Sequence, residues 1–123
     1  MNICSLLLYL QKQTYSNNMK IAITCVENRM ESIMDSRFGR CAWFLIYDIE
    51  TKLYEFIKNP VAEEEEGAGP AAVKFIAAQG VKKIVSAEFG VRIRPLLEEL
   101  EIEMITNKET NKRASEIINM FNH

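Results

Sequence analysis

Residues 70–86 read PAAVKFIAAQGVKKIVS, and this stretch decides the fold class. Pro70 suits the first turn of a helix, where its missing N–H costs nothing, and Gly80 suits the stop. Between them Val73, Ile76 and Ala77 form one apolar stripe, widened by Ala72 and Phe75. Directly afterwards Val81 to Ser86 becomes a short apolar run with β-branched residues, the pattern of a buried strand. A helix passing at once into a buried strand is the repeating unit of an α/β fold.

The unit continues downstream. Ile93, Leu96, Leu97 and Leu100 recur at i, i+3, i+4 and i+7, which predicts a core-facing helix. Ile102 to Thr106 reads as a strand, and Ala114, Ile117, Ile118 and Phe121 mark a closing helix with Thr110 as its N-cap. Upstream, Lys20 to Cys25, Ala42 to Tyr47 and Leu53 to Lys58 read as three more strands. The link Asp48 to Lys52 is short enough only for a hairpin, so the second and third strands run antiparallel. The β-α-β-α-β part is parallel with right-handed crossovers. Placing strand 2 between strands 1 and 3 gives a mixed five-stranded sheet of order 3-2-1-4-5, strand 2 antiparallel, with helices on both faces. Strands 1, 3, 4 and 5 then end at one edge. There the loops at 26–41, 59–69, 87–92 and 107–109 gather, where open α/β sheets bind ligands.

The chain has 123 residues, enough for one domain whose core needs no disulfide or structural metal. Fifteen basic against 17 acidic residues give a net charge of -2, and no basic run of five occurs, which argues against general nucleic-acid binding. The one histidine is His123, the last residue, which argues against Ser-His-Asp and Cys-His catalysis and His-based zinc motifs. The first strand carries no acid, so the carboxylate set of a two-metal nuclease is not visible. Cys4, Cys25 and Cys41 are too few and too odd for a disulfide framework and point to the reducing cytoplasm.

Residues 1–18 stand apart. The apolar run Ile3 to Leu10 is too short to span a membrane and lacks the leading Lys or Arg of a signal peptide. Ile3, Leu6, Leu7 and Leu10 fall at helical spacing, and Gln11 to Asn18 reads as a polar connector. The expectation is an extension outside a domain spanning 19–123, with residues 3–10 a candidate contact for a second copy.

Several residues at the loop edge carry chemistry. Arg37 and Arg40 flank Phe38-Gly39, either as fork-shaped donors to an anion or as pins that hold the loop. Cys25 ends strand 1 and Cys41 opens strand 2, either as thiolate metal ligands or as small buried hydrophobes. Gly67-Ala-Gly69-Pro70 opens a helix whose N-terminal N–H groups suit an anion, a weak signal without the lysine of a P-loop. Beside Gly90, Arg92 and Arg94 add positive charge near the same edge, or are simply solvated. Glu63 to Glu66 has no EF-hand spacing and reads as a solvated loop.

Several of these pieces occur in the order of one family. Met19-Lys-Ile-Ala-Ile23, Ser36-Arg-Phe-Gly-Arg40 ahead of a strand, Phe44-Leu-Ile-Tyr-Asp48, Asn59-Pro60, Gly67-Ala-Gly69, Gly80-Val-Lys-Lys-Ile-Val85 and Gly90 follow one another. Over residues 19–122 the chain resembles the dinitrogenase iron–molybdenum cofactor biosynthesis family, the NifX-like group also found as the C-terminal domain of NifB. Arg-Phe-Gly-Arg is the most specific element. The resemblance implies a three-layer α/β/α ribonuclease-H-like fold. It also implies a non-catalytic accessory role: binding or carrying an iron–sulfur or iron–molybdenum cluster, or its precursor, with a protein partner in cofactor assembly. The ligand-binding candidates are Arg37, Gly39, Arg40, Gly67, Gly69, Gly90 and Arg92, with Cys25 and Cys41 as metal candidates. The chain departs from the family at Glu63 to Glu66, where several members carry His, and at Glu88-Phe-Gly-Val-Arg92, where a Gly-Pro-Asn turn is usual. The competing expectation is a protein–protein adaptor of the same fold that no longer binds a cluster and uses the N-terminal apolar segment.

Overall fold

The computed structural model describes residues 19–109 and 111–122. The extension 1–18 with its candidate contact at 3–10, Thr110 and His123 lie outside the described residues. Five strands, β1 (Lys20–Cys25), β2 (Trp43–Asp48), β3 (Tyr54–Lys58), β4 (Val81–Ser86) and β5 (Glu103–Thr106), form one sheet of order β3-β2-β1-β4-β5. β2 is antiparallel to both neighbours, while β1, β4 and β5 are parallel. This is the order expected from the hairpin and the two crossovers.

Three helices cover the sheet: α1 (Ala68–Ala78), α2 (Arg94–Glu99) and α3 (Ala114–Phe121). Because side chains alternate along a strand, the central strands feed two separate cores. On the first face Ala22, Phe44, Ile46 and Ile84 pack against Ala72, Val73 and Ile76 of α1 and Leu97 of α2. On the second face Ile21, Ile23, Leu45, Tyr47 and Val85 pack against Ala114, Ile117 and Ile118 of α3. Each such Ile or Leu fully withdrawn from water contributes about 1.5–3 kcal/mol. The result is three layers, α/β/α. Among the described residues no helix is long and apolar enough to cross a membrane.

The helix ends differ from the sequence expectation. α1 starts at Ala68, ahead of Pro70, because Gly67 adopts the left-handed conformation (φ 73°) at the N-cap; Gly80 (φ 77°) follows its C-terminal end. α2 is only six residues long, starting at Arg94 with a proline in its first turn. The N-cap of α3 is Arg113 and not Thr110. Arg113 is extended, and its N–H donates to the Glu116 carboxylate at 3.3 Å, so the helix entry is held from its own first turn.

Strand register places the functional edge. Cys25 pairs with Trp43, Trp43 with Lys58, and Ser86 with Thr106. The loops after β1, β3, β4 and β5 therefore leave from the same side of the sheet.

Candidate functional site

The β1–β2 connection is anchored from inside. The buried Thr24 hydroxyl donates to the Asp35 carbonyl at 2.6 Å, and the Asp35 N–H returns a bond to the Thr24 carbonyl at 2.8 Å. The largely buried Asp35 carboxylate accepts the Arg37 N–H at 3.0 Å and pairs with the Arg37 guanidinium at 3.5 Å. Arg37 is thus aimed by a fixed carboxylate, yet its side chain stays 64 % exposed. Phe38 next to it is buried against Phe44 and Phe89, with ring centroids 5.6 Å and 6.1 Å away.

Gly39 brings this loop against the start of α1. A Cβ on Gly39 would stand 3.0 Å from the Cα of Gly69, so that one backbone would have to give way, and one on Gly69 would stand 2.9 Å from Ile93 Cγ2. Two glycines facing one another let the β1–β2 loop, the α1 N-terminus and the entry to α2 touch. Asn59 locks the arrangement from below. Its buried side-chain amide donates to the carbonyls of Gly39 (3.0 Å) and Cys41 (2.9 Å), while its oxygen accepts the Val61 N–H (3.1 Å).

Arg40 does not reach for a carboxylate. Its guanidinium donates to the main-chain carbonyls of Ala62 (3.2 Å), Glu65 (3.2 Å) and Glu64, and so clasps the acidic loop to the site. Arg94 donates to the Phe89 carbonyl at 3.2 Å. Arg92 is exposed and makes no side-chain hydrogen bond or ion pair among the described residues.

Between these loops lies an open cavity of about 800 Å³. Arg37, Gly39, Arg40, Gly67, Gly69, Gly90 and Arg92 all line it, together with the apolar Phe38 and Ile93. Seven candidates drawn from separate loops thus share one wall. The N–H groups of Ala68 and Gly69, at the first positions of α1, have no partner inside the helix, and no acidic residue sits in that first turn. Glu65, Glu66 and Glu88 also line the cavity. Attraction for an anion therefore rests on particular donors and not on an excess of positive charge.

The cysteines lie apart from this cavity. Both thiols are fully buried, but Cys25 belongs to the second-face core and Cys41 to the first-face core, and neither lines the cavity. Burial pushes the Cys25 thiol up to about 12, with the nearby Asp35 carboxylate adding to the effect. The same causes raise Cys41 further. A metal ligand must be a thiolate, the form that burial disfavours at both positions. No group of three or more His, Cys, Asp or Glu side chains among the described residues is arranged to hold a metal ion.

Sequence reasoning missed Asp35 and Asn59, the two residues that orient the loops. Asn59-Pro60 directly after a strand was the available signal, since Asn-Pro starts a turn through the Asn side chain. Asp35, two residues ahead of Arg37, offered the same kind of local side-chain-to-backbone bond.

Residues 19–123 match the family described as dinitrogenase iron-molybdenum cofactor. The fold is similar to that of the apo orange protein from Desulfovibrio gigas, with a TM-score of 0.78 at 23 % identity, covering 84 % of this chain and 86 % of that one. It is also similar to the NMR structure of a Thermotoga protein described as a candidate NifB protein of the DUF35 family. That likeness has a TM-score of 0.70 at 25 % identity, over 84 % of this chain and 86 % of the other. None of the curated proteins matches the chain.

Proposed function

The chain belongs to the dinitrogenase iron-molybdenum cofactor family, and from that premise we propose that it is a non-catalytic accessory domain whose cavity at the loop edge binds or carries an anionic metallocluster. The cargo is an iron–sulfur or iron–molybdenum type cluster or its precursor. One observation carries the reading: Arg37, Gly39, Arg40, Gly67, Gly69, Gly90 and Arg92 meet around a single cavity of about 800 Å³. That volume falls in the range of about 300–1,000 Å³ usual for small-ligand sites.

The donor chemistry fits a sulfide-rich anion held from outside, not one ligated by the protein. Arg37 and Arg92 present guanidinium forks, and the N-terminus of α1 adds backbone N–H groups and the positive end of its dipole. Gly67 and Gly90, where an added Cβ would meet nothing, keep the wall free of side chains so that a bulky polyanion can approach the backbone, while Gly39 and Gly69 let the loops that form it cross closely. Arg40 acts one step away by fixing the acidic loop. A cargo bound without a covalent protein ligand can be passed to a protein partner without exchanging thiolates, which suits an assembly intermediate. The free thiols of Cys25 and Cys41 fit the reducing cytoplasm.

The test is anaerobic loading with tetrathiomolybdate plus iron, or with reconstituted iron–sulfur clusters, followed by metal analysis and visible absorption. Wild type and Cys25→Ser are expected to hold metal, while Arg37→Ala combined with Arg92→Ala loses it. A wild-type protein that stays metal-free under conditions in which another family member loads would sink the proposal. Loss of metal in Cys25→Ser alone, with the fold intact, would overturn outer-sphere binding in favour of thiolate ligation.

A further inference from the structure

The sheet ends on β3 at one side, and the hairpin fixes which main-chain groups of that strand point outward. The Asp48 N–H donates to the Leu53 carbonyl at 2.9 Å, and the Asn59 N–H to the Ala42 carbonyl at 3.0 Å. Facing residues in an antiparallel ladder alternate between bonded and non-bonded pairs. Leu53, Glu55, Ile57 and Asn59 therefore bond to β2, and the N–H and carbonyl groups of Tyr54, Phe56 and Lys58 face away from the sheet. Among the described residues nothing meets them.

The side chains of the same three residues stand together on the second face. Phe56 lies opposite Leu45 and Tyr54 opposite Tyr47, both of the second-face core, and Lys58 lies opposite Trp43. Tyr54 is 53 % exposed, Phe56 and Trp43 are half-buried, and the Tyr54 and Phe56 rings meet edge to face at 6.0 Å. Exposed rings beside an unpaired strand edge form a template for another strand. The edge at β5 also has apolar surface, since the cavity beside it is lined by Val85, Ile105, Ile117, Met120 and Phe121. The ladders separate the two edges. The Asn107 N–H donates to the Ser86 carbonyl at 3.0 Å, so in the four-residue β5 only Met104 and Thr106 face outward.

We propose that β3 pairs antiparallel with β3 of a second copy of this chain, joining two sheets into one about a two-fold axis at Phe56. Outward residues must meet outward residues, so the possible registers differ in steps of two. With Phe56 opposite its own copy, Tyr54 faces Lys58 at both ends, and the facing pairs form roughly six main-chain bonds. On the second face the two Phe56 rings meet, and each Lys58 lies beside a Tyr54 ring, where cation–π attraction operates. On the first face Glu55 faces Ile57. One neighbouring register sets Glu55 directly against Glu55 of the second copy, a like-charge pair. The other sets Tyr54 against Pro60, which has no N–H to give. A five-residue ladder is a small contact, so the dimer is weak and depends on concentration. The axis turns the loop edges of the two copies in opposite directions, which leaves both cavities open. The proposal does not depend on the nature of the cargo.

Sedimentation velocity on the full chain, from about 10 µM to about 1 mM, tests the pairing together with amide hydrogen exchange read by NMR. Wild type is expected to pass from monomer to dimer over that range, with the amides of Tyr54, Phe56 and Lys58 protected only in the dimer. Tyr54→Lys sets two lysines face to face twice in each dimer and should raise Kd on the order of tenfold. Tyr54→Lys/Lys58→Glu turns the same pair attractive and should bring the dimer back, which also shows that the first change leaves the fold intact. A wild type that stays monomeric up to about 1 mM would overturn the proposal. So would protection of those three amides in a monomeric sample. A dimer whose Kd ignores Tyr54→Lys would place the contact on another surface, the β5 edge included, and would overturn it as well.

Discussion

Replacing Gly39 by alanine adds one carbon to the tightest backbone crossing at the site. The new Cβ would stand 3.0 Å from Gly69 Cα and 3.1 Å from Gly69 N. Neither atom belongs to a side chain that can rotate away, so a loop or the start of α1 must shift. Gly39 is not among the positive-φ residues described, so the cost comes from crowding and not from backbone strain. Overpacking of this kind costs about 1–3 kcal/mol. For a domain near 100 residues each kcal/mol lowers Tm by about 4–8 °C, so a fall of several degrees is expected. The control is Gly90→Ala, where nothing lies within 4 Å and φ is ordinary. There the stiffer unfolded chain makes the change neutral or stabilising by up to about 1 kcal/mol. Urea unfolding followed by Trp43 fluorescence measures both, with the slope m expected to stay constant. If Gly39→Ala unfolds at the wild-type midpoint, or Gly90→Ala is the less stable of the two, the crossing does not hold the site together.

Three further outcomes follow from contacts around the same edge. Asn59→Ala leaves the Gly39 and Cys41 carbonyls without their donor and should cost about 1–3 kcal/mol in urea unfolding. Arg40→Lys puts a single ammonium where a fork spans three carbonyls, so the 62–66 loop should be cut faster by a Glu-specific protease, mapped by mass spectrometry, while global stability changes little. Burial keeps the Cys25 thiol protonated up to about 12, whereas the unfolded chain ionises it from about 9. Its stabilising contribution is therefore complete below pH 9 and is lost as pH rises from 9 toward 12, at no more than about 1.4 kcal/mol per pH unit for one thiol. The difference in urea midpoint between wild type and Cys25→Ala, followed from pH 7 to 11, should shrink across that window.

The sheet was readable because buried parallel strands are written as unbroken apolar runs. Lys20 to Cys25 and Val81 to Ser86 match their predicted limits residue for residue. Helix ends were less legible, since periodicity sets the phase of a helix and not its limits. Leu100 keeps the stripe of Ile93, Leu96 and Leu97, yet α2 stops at Glu99 and Leu100 is half exposed. The cysteines show what adjacency along strands leaves out. Cys25 faces Trp43 across the ladder, and Cys41 is two residues from Trp43, so continued alternation would put both thiols on one face. The turn at 38–40, followed by a bend at Ala42, breaks the alternation and sends Cys41 into the opposite core. Gathering the arginines and glycines at one edge required only strand directions. Arg40's choice of main-chain acceptors depended on tertiary distances that no spacing encodes.

That choice has a consequence for how the site responds to its surroundings. A carbonyl oxygen carries no proton to gain at mildly acidic pH and is not neutralised by added salt, whereas a carboxylate is both titratable and screened. The clasp between Arg40 and the 62–65 backbone therefore stays closed under conditions that would release an arginine held by acidic side chains. It is equally indifferent to the side chains that Ala62, Glu64 and Glu65 carry. Glu64 and Glu65 can change identity without opening the clasp, so the chemistry at the rim is free to diverge while the frame beneath it stands still.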